Sequence, residues 1–270
     1  MSYLALNSSA NGMSALNTQL DVIANNIANA DTPAFKSSRT DFQDLYYIEK
    51  KQPGVENLAT QSTSPVGLFV GLGVEVAGTQ LDLTQGAPIP GGQLDVMIDG
   101  KGFFQVDMGD LSPTGIGYTR NGQFKLNADG ELVVGPDVGY RLEPSIEIPP
   151  SGSNVTITSD GSVYYDDPQN AEPVLAGRLQ LAVFQNPAGM KQFGQNIMLE
   201  TFASGPPNEG DPGDPSIGAG GIQSGVYEGS NVDAVTELVD LIRTQRAFEM
   251  NSQSFNAADE TLQTIVNLGR

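Results

Sequence analysis

The sequence predicts an α+β fold: paired N- and C-terminal helices, coiled-coil-like, plus a central antiparallel, mainly β domain. Three observations predict it. All 17 prolines fall between Pro33 and Pro215, and 30 of the 32 glycines fall between Gly54 and Gly229. Helix breakers are therefore confined to the middle. Both breaker-poor ends carry apolar residues at alternating steps of three and four, the period of a coiled-coil seam. Between them, short alternating runs are separated by Asn-Gly and Asp-Gly pairs, which are hairpin signals.

The N-terminal seam reads Met13, Leu16, Leu20, Ile23, Ile27, Ala30. This stripe is narrower than the apolar face of an ordinary globular helix. Asp31-Thr32-Pro33 ends it, because the residue before a proline is pushed out of the α region. Residues 1–20 contain no charged side chain. A secretory signal needs a positive start and a continuous apolar run, and Asn7, Ser8, Ser9, Asn11, Ser14, Asn17 and Thr18 interrupt this one. No cleaved signal is expected. A solvated helix face normally carries charge, so a chargeless one points to burial between copies.

At the other end, Ser230-Asn231 followed by Val232 and Asp233 reads as a helix start. A second seam follows: Leu241, Thr244, Phe248, Asn251, Phe255, Ala258, Leu262, Ile265. Neither amphipathic helix can bury its stripe alone. Leu16, Leu20, Ile23 and Ile27 are expected to face Phe248, Phe255, Leu262 and Ile265, with Thr244 and Asn251 setting the register.

In the middle, the predicted strands include Val74–Val76, Thr79–Leu83, Leu94–Ile98, Phe103–Val106, Tyr118–Arg120, Gln123–Leu126, Glu131–Val134, Val155–Thr158, Ser162–Tyr165 and Leu179–Phe184. Asp99-Gly100, Asn121-Gly122, Asp129-Gly130 and Asp160-Gly161 supply the turns. Two stretches read as loops. Residues 53–73 are polar and then apolar and glycine-rich, while 206–221 is a Gly/Pro-rich acidic insertion.

Composition excludes several chemistries. There is no histidine, cysteine or tryptophan, which removes disulfides, thiol nucleophiles, Cys/His zinc sites and a histidine base. With 13 Lys+Arg against 32 Asp+Glu the net charge is −19, the wrong sign for a nucleic-acid binder and repelled by anionic membranes. No run of 18 apolar residues exists, so no membrane insertion is expected. The glycine pairs Gly71/Gly73 and Gly100/Gly102 lack the third glycine of a dinucleotide loop. Two alternatives remain. Among 32 acids, chance pairs arise that could imitate a glycosidase. The Asp-Gly turns could imitate a calcium adhesin, though no full EF-hand loop is present. No catalytic residue, metal site or cofactor is expected.

Four segments together resemble the bacterial flagellar axial proteins of rod and hook. The first is Asn25-Asn26-Ile27-Ala28-Asn29-Ala30-Asp31-Thr32-Pro33-Ala34-Phe35-Lys36, where that family usually has glycine at the position of Ala34. The second runs from Leu94 through Asp99-Gly100-Lys101-Gly102 to Phe104. The third is Tyr118-Thr119-Arg120-Asn121-Gly122 with Gly130-Glu131-Leu132-Val133. The fourth is Ser230-Asn231-Val232-Asp233, Glu237 and Gln245-Arg246-Ala247-Phe248-Glu249. Gln52-Pro53-Gly54 with Gly67-Leu68-Phe69-Val70-Gly71-Leu72-Gly73 is similar to an insertion of the distal-rod members.

The resemblance implies a coaxial bundle of residues 1–32 with 230–270, a connecting region of 33–78 with 200–229, and an outer β domain of 79–199. It implies a hollow straight helical homopolymer that transmits torque from motor to hook and passes exported subunits. Partners would be further copies, proximal rod proteins, hook protein and the outer bushing rings. Export would run through the flagellar type III apparatus without signal cleavage, to a basal body between periplasm and outer membrane. Proximal rod or hook membership is the alternative within the family. Leu16, Leu20, Ile23, Ile27, Leu241, Phe248, Phe255, Leu262 and Ile265 would pack helices. Asn26, Asn29, Thr32, Phe35, Asn231, Gln245, Arg246 and Glu249 would be signature residues, with Arg246 paired either to acid on a neighbour or to Glu249. Pro53, Gly54, Gly67, Leu68, Gly71 and Gly73 would serve stacking.

Overall fold

The breaker-poor ends become two long helices, α1 (Ser2–Ala28) and α2 (Ala234–Leu268). The computed structural model describes residues 2–54, 56–57, 62–63, 66–135, 139–170 and 172–268. At 1.5 Å per residue the helices are about 40 and about 52 Å long. By its contacts the chain divides into two compact units. The first comprises residues 1–28, 38–81 and 233–270, and the second comprises 29–37 and 82–232.

In the first unit α1 and α2 pack on each other, and two tie points show that they run antiparallel. Asn26 Nδ2 donates to Glu237 Oε1 at 3.0 Å. Gly12 lies against Asn251, where a Cβ would come within 3.1 Å of Nδ2. The tie points are 14 residues apart on each helix, so the register is the same at both. It sets Leu16–Ile27 opposite residues 236–247, and carries the last turns of α2 past the start of α1. The pairing expected from the two seams is therefore offset. The seams alone fix no register; the missing side chain at Gly12 and the amide of Asn26 do.

The helix start also differs from the expectation. Asp233, rather than Ser230-Asn231, caps α2: its Oδ1 accepts from Val235 N at 3.1 Å and its Oδ2 from Thr236 Oγ1 at 2.7 Å. The antiparallel strands Ser38–Asp44 and Val74–Leu81 complete this packing against α1. Gly73 precedes the second of them with φ +107°, and a Cβ there would come within 3.1 Å of the Ser8 backbone, so glycine is favoured.

The stretch 53–73 is not a plain loop. Leu68–Gly71 pairs antiparallel with Tyr47–Lys51. Beyond them, Glu56–Asn57 pairs with Ser62–Thr63. The glycines that suggested a loop sit under aromatic rings: a Cβ on Gly71 would meet Tyr47 at 3.3 Å, and one on Gly67 would meet Phe69 at 2.7 Å.

The second unit is built around the strand Phe103–Asp107. Ile116–Thr119, Tyr140–Glu143 and Leu181–Val183 all pair with it. Leu132–Val134 and Phe124–Leu126 extend one side; Ile197–Leu199 and Lys191–Gly194 extend the other. A three-stranded sheet holds Ser153–Ile157, Ser162–Asp166 and Val174–Arg178. The alternating residues of these strands form one apolar core that includes Ile98, Phe104, Val106, Leu142, Val163 and Leu181.

Two of the four expected turns are hairpins: Asp129-Gly130 and Asp160-Gly161. The other two are not. Ile116–Thr119 pairs with strands remote from Phe124–Leu126, and Val96–Asp99 pairs with Gly221–Ser224. Gly122 is required for a close approach instead, because a Cβ there would fall 1.8 Å from Val96 O. The segment 206–221 likewise exceeds a solvated loop. Asn208–Gly210 adds an edge strand to Leu181–Val183, and Asp211 pairs with Arg178 at 2.7 Å.

Gly122→Ala is expected to destabilise the chain by about 1–3 kcal/mol, the usual range for a forced overlap. Gly78→Ala, whose Cβ would meet nothing within 4 Å, is the control and is expected to be near neutral. Urea unfolding of both variants checks this.

Candidate functional site

Only 13 residues are basic, and two of them are buried in the second unit around one acid. The Glu228 side chain is 0% exposed, Lys36 2% and Arg120 5%. Removing such charges from water is expensive unless every lone pair and proton finds a partner. Here the main ones do. Glu228 Oε1 accepts from Lys36 Nζ at 2.5 Å and from Gly86 N at 2.9 Å, and Oε2 accepts from Arg120 Nε at 3.0 Å. Lys36 Nζ donates also to Thr84 O at 2.6 Å. Arg120 Nη1 donates to Gly100 O at 2.8 Å and Gly102 O at 2.9 Å. Gly100 and Gly102 have φ of +115° and +136°, conformations that glycine adopts without strain. Burial pushes the Lys36 pKa below its ordinary value, against the opposing pull of Glu228.

A second set of bonds stitches the same three stretches of chain. Ala34 N donates to Glu228 O at 2.8 Å, Asp82 N to Ser37 O at 2.8 Å, and Asn231 N to Phe35 O at 3.3 Å. Asn231 Oδ1 accepts from Ser37 N at 2.7 Å, while its Nδ2 donates to Asp82 O at 2.8 Å. This explains why Asn231 does not cap α2. Ala34 is 3% exposed with φ +56°, a left-handed conformation that suits glycine better and strains alanine.

In the first unit Asn26 plays a similar part. Its Oδ1 accepts from Ser38 N at 3.0 Å and its Nδ2 donates to Ser38 O at 2.8 Å as well as to Glu237. Burial raises the Glu237 pKa above its ordinary value, opposed by the Asn26 bond. In the turn after α1, Thr32 Oγ1 donates to Asn29 Oδ1 at 3.1 Å.

The remaining expected residues separate by exposure. Ile23 is buried, Leu16, Leu20, Ile27, Leu241, Phe248, Phe255 and Leu262 are half-buried, and Ile265 is exposed. Thr244 is buried but bonds its own helix, donating to Asp240 O at 2.8 Å. Gln245, Arg246 and Glu249 face solvent, and Arg246 makes no ion pair among the described residues. Val235, Leu238, Val239 and Ile242 form a further exposed apolar row on α2. The ribbon of Tyr47–Lys51 and Leu68–Gly71 exposes Tyr47, Ile48, Leu68 and Phe69. Pro53 and Gly54 form an exposed turn beside it.

Sequence reasoning missed the Lys36–Glu228–Arg120 cluster. A signal was present: Lys36 and Arg120 both stand inside the motifs, on a chain where a basic residue is rare. Nothing in one sequence, however, marks Glu228 among 32 acids. Among the described residues no group of three or more Asp or Glu could hold a metal ion.

These features define a structural subunit with unsatisfied apolar faces on a helix pair and a β ribbon. The family comparisons agree. The model described as flagella basal body rod protein matches residues 6–36, and that of the flagellar hook protein FlgE/F/G D1 domain matches 97–165. The flagellar basal body rod FlgEFG protein C-terminal model matches 223–268. The flagellar basal-body rod protein FlgG of Agrobacterium fabrum is 44% identical over 257 residues, 95% of each chain. FlgG of Caulobacter vibrioides is 38% identical over 266 residues, 98% of each chain. FlgF of Caulobacter vibrioides is 31% identical over 258 residues, 94% of each chain. The chain belongs to the flagellar basal-body rod protein FlgG family. That family is structural and non-enzymatic, which answers the glycosidase alternative.

Glu228→Gln should leave Lys36 and Arg120 buried beside a neutral amide. The expected loss is about 3–5 kcal/mol in urea unfolding of the full chain. Lys36→Met should then cost less in the Glu228→Gln background than in the parent, because the two residues act as a unit. Additive losses would contradict the cluster.

Proposed function

We propose that the chain is a distal-rod subunit that polymerises helically into a hollow straight tube. Residues 1–32 with 230–270 form its inner layer, 33–78 with 200–229 its connecting region, and 79–199 its outer β domain. The tube transmits torque from motor to hook and passes subunits exported through its lumen. Its neighbours are further copies, proximal rod proteins, hook protein and the surrounding bushing rings. The chain reaches that place through the type III apparatus, unfolded and without signal cleavage. Absence of cysteine suits a channel for unfolded chains, since no disulfide can form in transit.

The observation that carries this reading is the exposed row Val235, Leu238, Val239 and Ile242 on α2. The helix pair already has one seam, so this row is a second apolar face. Such a face is favourable only when covered. The chargeless first 20 residues give α1 surfaces suited to the same environment. The exposed ribbon adds apolar contact area between stacked subunits, which would stiffen the tube. The relatives favour the distal rod over other axial positions, since identity to FlgG exceeds identity to FlgF of the same organism.

Ile242→Asp is expected to change monomer stability by no more than about 0.5 kcal/mol, as exposed substitutions do. It is expected to abolish polymerisation. Deleting residues 53–73 is expected to leave a chain that folds but builds bent or less rigid tubes. Electron microscopy of both checks the reading; straight tubes from Ile242→Asp at the parent's concentration would overturn it.

A further inference from the structure

Phe202 has the highest relative exposure of the large apolar residues among those described, at 110%. A lone surface phenylalanine needs no explanation. This one stands on a turn that is locked. Thr201 Oγ1 donates to Gly189 O at 2.5 Å, Thr201 N donates to Ser204 Oγ at 3.0 Å, and Ser204 Oγ donates to Thr201 O at 2.8 Å. Asn186 Nδ2 donates to Ala203 O at 2.9 Å. Ser204 itself is buried. The turn packs so closely that a Cβ on Gly189 would lie 2.7 Å from the Ala203 carbonyl carbon. The backbone that carries the ring is thus fixed. An aromatic side chain on a fixed backbone has only two torsions to lose when it docks, which favours it as an anchor.

The same unit carries a matching hole. A cavity of about 210 Å³ is lined by Phe103, Phe184, Val183, Pro187 and Leu83, with Lys101 among its polar residues. A dry cavity of about 150 Å³ takes a benzene molecule, so one phenyl ring fits. Phe103 and Phe184 meet edge-on with ring centroids 6.1 Å apart, and Phe184 meets Tyr118 at 4.7 Å. A further ring would continue that edge-to-face series. The charges match as well. Lys101 is exposed and has no ion pair among the described residues. Glu200 lies two residues before Phe202.

We infer that Phe202 of one copy seats in the Phe103–Phe184 cavity of a second copy, with Glu200 brought towards Lys101. Knob and hole adjoin in one copy, since the Phe202 turn bonds to Asn186 and Gly189 on either side of Pro187, which lines the cavity. The contact runs one way, knob into hole, as an open polymer requires. The inference rests on the rod reading above.

The chain has no cysteine, so engineered pairs report cleanly. Ala203→Cys and Leu83→Cys chains, both keeping Phe202 and carrying different tags, are co-polymerised and oxidised mildly with diamide. Mixed-tag disulfide dimers are expected. Phe202→Ala is expected to raise the concentration needed for polymerisation roughly tenfold or more, with Phe202→Leu intermediate. Straight polymers that give no mixed-tag dimer, or Phe202→Ala polymerising like the parent, would overturn this contact and leave the rod reading standing. Failure of the parent chain to polymerise at all would overturn both.

Discussion

Glu228 accepts three hydrogen bonds in a place from which water is excluded, two of them from cations. Its position in the chain gives this its consequence. The second unit is discontinuous: the chain enters it at residue 29, leaves after 37, returns at 82 and leaves again after 232. Lys36 stands near the first exit, Thr84 and Gly86 near the return, and Glu228 near the last exit. One carboxylate therefore fastens every stretch at which the chain enters or leaves. Arg120 adds the sheet, through Gly100 and Gly102. A structural subunit whose chain crosses repeatedly between two compact units needs such fastening. Hydrophobic packing alone is non-directional and would resist shear at these crossings poorly.

Asn231 and Asn26 repeat the same solution without charge. Each uses an amide to hold backbone at a crossing, Asn231 at Ser37 and Asp82, Asn26 at Ser38. A side-chain amide both donates and accepts, so it can replace a missing strand partner at a point where the chain turns. Asn26 also reaches Glu237, so one residue both holds the backbone at Ser38 and supplies one of the two points that set the register of α2. The register leaves the end of α2 without a partner helix in the single chain. Ile265, Val266 and Leu268 are accordingly exposed.

How much of this could be read from the sequence depended on the range of the interaction. The helices were legible because proline placement and seam spacing are local. The β character was legible from turn pairs, yet two of those pairs misled. Asn121-Gly122 and Asp99-Gly100 have hairpin chemistry, but their glycines answer to Val96 and Arg120, which are distant partners or close approaches that no local pattern reveals. The ribbon at 68–71 was hidden because its glycines lie under Tyr47 and Phe69 rather than in turns. Signature residues such as Asn26 and Asn231 were identified, though their bonds were not. The Glu228 cluster joins residues separated by as many as 192 positions and so left no trace in spacing.

Hydrogen exchange followed residue by residue, in the soluble chain and in the polymer, tests this account most directly. The amides of Ala34 and Gly86, both tied to Glu228, should exchange as slowly as Val106 in the sheet core in either form. The end of α2, from Leu262 to Leu268, should exchange freely in the soluble chain and become protected only on polymerisation. Fast exchange at Ala34 and Gly86, or full protection of the α2 end before any polymer forms, would contradict it.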